Sequence, residues 1–341
     1  MDSGATSPID QEYSTHMHPD EGGISLELLP VVEQAAIESA KLMGWGDRHA
    51  ADQAAVDAMH TALERADVEG TVVIGEGERD EAPMLYIGEK VGRDGARRKV
   101  DIAVDPLEGT NLCALGKNNA IAVMAVSEAG GLLHAPDIYM EKLVVPPAAA
   151  GKVDIDAPVE QTVEIVAGAL EREVRDLVVV VLDRPRHEDL IGRLRKLGTR
   201  IRLIGDGDLS AAISVAVRGT GIHLAMGIGG APEGVISAAG LKCLGGEIQA
   251  RLRPKDDEQR ARCEKMGVDY ERKYTTGDLA PGSSIVFLAT GVTRGDLLDG
   301  VRFFGNGVRV SSMVLTYRSR TIRFSDSIYL NERHNVEIRR L

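Results

Sequence analysis

Asp105-Pro106-Leu107-Glu108-Gly109-Thr110 places two carboxylates, a hydroxyl and a run of backbone amides within six residues. Residues 100–104 before it alternate apolar with acidic or small side chains and include β-branched ones, which predicts a short strand. Asp105 then stands at the carboxyl end of that strand. Pro106 is expected to stop the strand and fix a turn. Glu108 follows three residues later, so the turn can bring both carboxylates to one side. Gly109-Thr110 opens residues 110–116 as a helical turn, whose free N–H groups favour an anion. Such a set suits a divalent cation that holds a phosphate, with a plain acidic turn as the alternative.

Other loops repeat the pattern. Residues 70–75 lead into Gly75-Glu76-Gly77-Glu78-Arg79-Asp80-Glu81. An isolated acidic hairpin can splay its side chains into water. A cleft that gathers them cannot: two like charges ~4 Å apart at an effective dielectric near 20 repel by roughly 4 kcal/mol, so a cation is needed. Asp183-Arg184-Pro185-Arg186-His187 ends the β-branched run 177–182, and two arginines there suit bidentate phosphate recognition, or a pair of surface salt bridges. Asp206-Gly207-Asp208 ends the run 200–204. The stretch 227–234 is glycine-rich, with Gly230 close to Glu233. Its spacing fits a dinucleotide fingerprint poorly, and Glu233 at a helix entrance suits a cation better than a pyrophosphate. Tyr139 and Lys142 are either phosphate or sugar contacts, or a core tyrosine and a solvated lysine. Asp52 falls in the first turn of a helix predicted over 50–66, where a carboxylate favours the helix dipole and helix capping is the simpler role. Carboxylates without a Cys/His ligand pattern favour Mg²⁺ or Mn²⁺ over Zn²⁺.

The elements that must position these residues alternate. Leu26, Leu29, Val32, Ala36, Ala40 and Met43 recur at helical spacing from residue 25, and Gly44-Trp45-Gly46-Asp47 breaks that helix before a second over 50–66. Residues 120–126 predict a strand, with 130–133 pairing to it. Residues 146–151 are small and Pro-rich and mark a boundary. Helices are expected over 156–170 and 188–197, and from the glycine-rich stretch to Gly245. Strands are expected over 177–182, 200–204, 222–226, 284–289, 308–316 and 319–324. Residues 251–278 read as a charged helical excursion. This gives an α/β class, with a tail at 1–23, an amino-terminal metal-binding half at 24–150 and a carboxy-terminal sugar-phosphate-binding half at 151–341. His16 and His18 lie in the tail and read as inert.

Composition sets limits on partners. The 341 residues are 43% apolar and carry a net charge of −12. That charge argues against nucleic acid or an anionic membrane as a partner, so an anionic substrate must be drawn by a local site. Cys113, Cys243 and Cys263 are too few and odd in number for a disulfide framework. No apolar run approaches the roughly 20 residues of a membrane span, and nothing like a signal peptide is seen, so a cytoplasmic protein is expected.

The Asp105–Thr110 motif resembles the metal motif of lithium-sensitive sugar and inositol phosphatases. Gly75-Glu76-Gly77-Glu78, Ala82-Pro83-Met84-Leu85-Tyr86, Ala135-Pro136-Asp137-Ile138-Tyr139-Met140, Arg184-Pro185-Arg186-His187, Asp206-Gly207-Asp208 and Gly229-Gly230-Ala231-Pro232-Glu233-Gly234 narrow the resemblance to class II fructose-1,6-bisphosphatases, over residues 25–324. Residues 106–112 and 206–210 look like the cyanobacterial branch, whose members also take sedoheptulose 1,7-bisphosphate. The resemblance implies a layered α-β-α-β-α sugar-phosphatase fold, Mn²⁺ or Mg²⁺, a homo-oligomer (dimer or tetramer), and work in gluconeogenesis or the Calvin cycle. It implies metal ligation by Asp52, Glu76, Asp105, Glu108 and Glu233. Substrate contacts fall on Glu108, Gly109, Thr110, Tyr139, Arg184, Pro185, Arg186, Asp206, Gly207, Asp208 and Gly230. Thr110, with Asp80 and Glu78 as acidic neighbours, is expected to assist water in an in-line attack on phosphorus. Arg48 stands where the family commonly has Lys, which keeps the charge and changes its geometry. An inositol-type monophosphatase or a non-catalytic sugar-phosphate sensor are the competing readings. The first would not need the two arginines, and the second need not keep its carboxylates.

Overall fold

The computed structural model describes residues 19–77 and 83–330. Glu78, Asp80, His16 and His18 therefore lie outside the described residues, as does most of the expected tail. In chain order the elements are α1 (Pro19–Ala40), α2 (Arg48–Leu63), β1 (Glu69–Ile74), β2 (Lys90–Gly92), β3 (Lys99–Glu108), α3 (Thr110–Ala114), β4 (Ile121–Glu128) and β5 (Tyr139–Val145). They continue with α4 (Val159–Ala169), β6 (Val178–Leu182), α5 (Glu188–Leu197), β7 (Arg200–Ile204), α6 (Asp208–Ala216), β8 (Leu224–Gly230) and α7 (Ala231–Leu244). The chain closes with β9 (Glu247–Leu252), α8 (Asp257–Lys265), β10 (Tyr274–Thr275), α9 (Thr276–Leu279), β11 (Val286–Gly291), β12 (Arg302–Phe304), β13 (Gly307–Thr316) and β14 (Thr321–Leu330).

Two mixed sheets result. One runs β12-β13-β11-β4-β3-β1-β2, with β14 on β13; the other runs β10-β9-β5-β8-β6-β7. Each draws strands from both sides of residue 150. Helices α1 and α2 cover the outer face of the first sheet, where Leu28, Val32, Met59 and Leu63 meet Ile102, Met124 and Leu288. Between the sheets lie α6 and α7, whose small faces of Ala212, Ala238 and Ala239 let both sheets approach. Helices α4 and α5 cover the far face of the second sheet through Val163, Val166, Ile191 and Leu194. The order is α-β-α-β-α, as the resemblance implies, and burial of these faces is its main driving force. Among the described residues no helix is long and apolar enough to cross a membrane. Cys113, Cys243 and Cys263 are free thiols, and burial pushes all three above the ordinary thiol pKa.

Several expectations need correction. Helix α1 starts at Pro19, not after residue 23, because tertiary contact supports its first turns. The buried Glu21 carboxylate accepts from the N–H of Arg318 at 3.0 Å and of Ser319 at 2.8 Å. Leu26 is 75% exposed and does not join the apolar face, which Ile24, Leu28, Val31 and Ala35 complete instead. Asp52 is not in the first turn of α2. Asp47 caps that helix, accepting from the Ala50 N–H at 3.0 Å. Pro106 does not stop β3. Pairing to β4 shifts register between Asp105 and Glu108, and the bulge accommodates a residue that has no N–H to give. Residues 130–133 form no strand. They cross toward α9, where the Leu133 N–H donates to Leu279. The 251–278 segment is only partly helical, as the end of β9, α8, β10 and α9.

Candidate active site

The bulge at the end of β3 is where the site begins. It turns Asp105, Glu108 and Thr110 toward one cleft, also lined by Asp52 of α2, Glu76 after β1, Asp137 before β5, Asp206 before α6 and Glu233 in the first turn of α7. Asp105 Oδ1 accepts from the Leu107 N–H at 3.1 Å, which fixes its rotamer within the bulge. Glu108 is buried and accepts from the Leu209 N–H at 2.9 Å, tying the first sheet to the entrance of α6. A ligand atom from each of Asp105, Glu108 and Glu233 lies within 4.8 Å of the others. Glu233 Oε2 is buried with no hydrogen-bond partner. Gly230 makes room for it, since a Cβ there would stand 1.8 Å from that oxygen.

Crowding of carboxylates sets the electrostatics. Burial, then Glu108, Glu233, Glu76 and Asp52, hold Asp105 well above the ordinary carboxylate pKa. Burial and Asp208 do the same for Glu108. Burial is the first cause at Glu76, pushed up to about 8 with Asp52, Asp137 and Glu233 adding to it. It is also the first cause at Glu233, pushed up to about 7 although Lys142 opposes the shift. Asp52 is raised by burial against the lowering effect of Thr110. An all-oxygen set of mutually repelling acids with an orphaned lone pair fits a hard divalent cation.

Thr110 sits among these acids. Its hydroxyl is 3.0 Å from the Leu107 carbonyl and 3.5 Å from Asp52 Oδ1. With its proton given to one of those acceptors, its lone pairs remain available on the cleft side. Lys142, treated in the sequence as either contact or solvated, is buried. Its ammonium pairs with Asp208 at 2.6 Å and donates to the Gly230 carbonyl at 2.9 Å. It therefore anchors two expected substrate-contact positions and neutralises one edge of the acidic cluster.

The expected arginines do not line the carboxylate cleft; they stand beside it. Arg184 donates to the carbonyls of Asp183 at 2.9 Å and Gly205 at 2.7 Å, next to Asp206. Pro185 opens a short 3₁₀ turn, Pro185–His187. Arg186 donates to the Ile228 carbonyl and stacks 4.7 Å over Tyr139, which pairs with Gly230 across β5 and β8. Asp206 accepts from the N–H and side chain of Asn111 at 3.3 and 3.0 Å, which joins it to the turn carrying Gly109 and Thr110. Gly207 caps α6 beside that contact. Asp137 and Asn111 were not singled out from the sequence. Asp137 lay within a quoted motif but had no strand-end signal of its own, and Asn111 acts through a residue 95 positions away.

The raised carboxylates give the metal-free protein a pH dependence of defined sign. Glu76 and Glu233 shift from 4.5 up to about 8 and about 7. The folded chain thus binds protons that the unfolded chain has released, and the stability this supplies is full below about pH 4.5 and lost as pH rises through about 7 to 8. The thermal midpoint in a chelator is expected to fall between about pH 5 and pH 8, with added Mn²⁺ or Mg²⁺ restoring it most at the alkaline end. A midpoint indifferent to both pH and cation would contradict the clustering.

Comparison with known proteins gives a consistent picture. A sequence model for bacterial fructose-1,6-bisphosphatase, glpX-encoded, matches residues 23–329. A Synechococcus sp. (strain JA-3-3Ab) protein described as D-fructose 1,6-bisphosphatase class 2/sedoheptulose 1,7-bisphosphatase is 51% identical over 333 residues, 91% of this chain and 96% of the relative. A Crocosphaera subtropica protein of the same description is 51% identical over 336 residues, 92% and 97% of the two chains. One from Synechocystis sp. is 49% identical over 337 residues, 92% and 98% of the two.

Proposed function

Because this chain belongs to the bacterial, glpX-encoded fructose-1,6-bisphosphatase family, we propose that it hydrolyses the C1 phosphate of fructose 1,6-bisphosphate to fructose 6-phosphate and phosphate. The chain is a phosphoric monoester hydrolase of a metal-dependent family that acts on a sugar bisphosphate. The observation that carries the reading is the convergence of Asp105, Glu108 and Glu233, from two layers of the fold, beside Thr110. In this proposal Asp52, Glu76, Asp105, Glu108 and Glu233 hold Mg²⁺ or Mn²⁺. When bound, such ions neutralise charge on the phosphoryl group and acidify a water. Thr110 orients the attacking water, with Asp80 and Glu78 as the acidic neighbours expected from the sequence. The Gly109-Thr110 turn faces the transferring group, while Asp206, Gly207, Asp208 and Gly230 hold the sugar. The proposal extends to sedoheptulose 1,7-bisphosphate, which the relatives' names include, to a dimeric or tetrameric assembly, and to the cytoplasm. It assigns metal binding to the amino-terminal half and sugar-phosphate binding to the carboxy-terminal half, with Glu233 crossing over. Phosphate release from a panel of sugar bisphosphates and monophosphates, with Mg²⁺, Mn²⁺ or a chelator, tests it. Activity that survives the chelator, or that favours monophosphates, would sink it.

Bisphosphate preference needs a recognition element for the phosphate that does not react. In this proposal Arg186 and Arg184 take that role; both are tied to backbone carbonyls beside the cleft, which supports it. Charge-assisted bonds are worth roughly 1.5–3 kcal/mol each. Arg186→Ala is therefore expected to lower kcat/KM for fructose 1,6-bisphosphate by roughly ten- to a hundredfold, and much less for a sugar 1-monophosphate. Equal losses on both substrates would move Arg186 to the reacting phosphate or to the fold.

A further inference from the structure

His187 is buried, 2% exposed, at the end of the turn that carries both arginines. Its Nδ1 is 2.7 Å from the Leu182 carbonyl, and its Nε2 is 2.8 Å from the N–H of Ile228. A carbonyl only accepts and a backbone amide only donates. The ring must therefore carry its proton on Nδ1 and accept at Nε2, as the neutral imidazole does. Burial, with the guanidinium groups of Arg186 and Arg184 adding to it, holds the ring below the ordinary histidine pKa. The fit is close, since a Cβ on Gly227 would come within 2.9 Å of Nε2. Asp208 and Lys142 line the same cavity.

The two ends of one residue are thus held from the same turn. The Ile228 N–H goes to His187, and the Ile228 carbonyl accepts from Arg186 Nε at 3.1 Å and Nη2 at 2.7 Å. We propose that His187 is a positioning residue for bisphosphate selectivity: by clamping Ile228 and Leu182 it fixes the Arg184-Pro185-Arg186 turn against β8, so that the Arg186 guanidinium is presented to the distal phosphate of the substrate. This rests on the reading of Arg186 given above. The orientational freedom of Arg186 is removed before the substrate arrives, so less is lost on binding.

The test combines variants with two substrates. His187→Phe keeps a ring and removes both hydrogen bonds. His187→Gln returns an acceptor toward Ile228. His187→Asn keeps a donor for Leu182 without that acceptor, and it replaces the Phe variant if the latter fails to fold. In folded protein, judged by the thermal midpoint, His187→Phe is expected to raise KM for fructose 1,6-bisphosphate by about tenfold, with kcat changed by less than about twofold. Kinetics on a sugar 1-monophosphate should hardly move, and His187→Gln should recover most of the loss. Added to Arg186→Ala, His187→Phe should change nothing further. An unchanged KM, equal losses on both substrates, or full additivity with Arg186→Ala overturns the inference alone, provided that Arg186→Ala itself erases the bisphosphate preference. If Arg186→Ala leaves that preference intact, the reading of Arg186 fails and the inference falls with it.

Discussion

Asp105→Asn is expected to lower kcat by about 100-fold or more while making the metal-free protein more stable. Changes merely adjacent to a metal's ligands cost roughly 10–100-fold, and this one removes the charge of a proposed ligand itself. The substitution is close to isosteric, and an amide oxygen can still accept from the Leu107 N–H. What changes is charge. Asp105 is repelled by Glu108, Glu233, Glu76 and Asp52, so neutralising it relieves the cluster. The two effects have opposite signs, and that separates this account from simple damage to the fold. Steady-state turnover at saturating Mn²⁺ or Mg²⁺ reads the first, and the thermal midpoint in a chelator reads the second. Full turnover in Asp105→Asn would dismiss the metal assignment.

Thr110→Ala should reduce kcat by about 10²–10⁴-fold and change KM far less, because orienting or deprotonating a reacting water acts in the transition state. The hydroxyl is bracketed by the Leu107 carbonyl and Asp52. Those acceptors order its proton, so that its oxygen can in turn accept from a water in the cleft. Thr110→Ser keeps the oxygen and should retain substantial activity, with some loss because the methyl group no longer fixes χ1. If Ala and wild type turn over alike, Thr110 is only the first residue of α3. A control comes from Asp52, whose pKa should rise further when Thr110 no longer donates to it, since that hydrogen bond is a lowering influence.

Much of this was legible in the sequence where the signal is local. Asp105, Glu108 and Thr110 fall within one turn, and Asp206-Gly207-Asp208 follows a strand at its end, so period and turn chemistry suffice to place them. The errors arise where a local signal has a distant competitor. Asp47 and Asp52 both lie near one helix start, and only the structure shows that the first makes the cap while the second turns to Thr110. Pro106 normally ends a strand, but the β4 partner tolerates a register shift there. Gly22 and Gly23 look like a tail, yet Glu21 bonds to residues 318 and 319 and holds the first turns of α1. The proposed ligand set from β3 and α7 could be named as a group only through family resemblance, because no spacing rule joins positions 105 and 233.

The strand order of the first sheet also bears on how the chain reaches this state. β4 pairs antiparallel with β11, setting Val126 against Val286, so the whole second sheet is spelled out between two neighbours. The buried Glu33 of α1 accepts from the hydroxyls of Ser312, Ser327 and Tyr329, which are among the last residues described. Chains emerge from the ribosome amino terminus first, and non-local pairings close late because loop-closure entropy must be met before they form. On a nascent chain α1, β3 and β4 therefore wait with an open edge and an unpaired buried acid until β11 and the β13–β14 hairpin have been made. During that interval the half-built sheet can pair with the wrong strand or with another chain. The bulge that carries Asp105 and Glu108 sits on β3, directly beside the edge strand β4, so a chain truncated before β11 would keep every proposed ligand while the sheet that sets them stays unfinished.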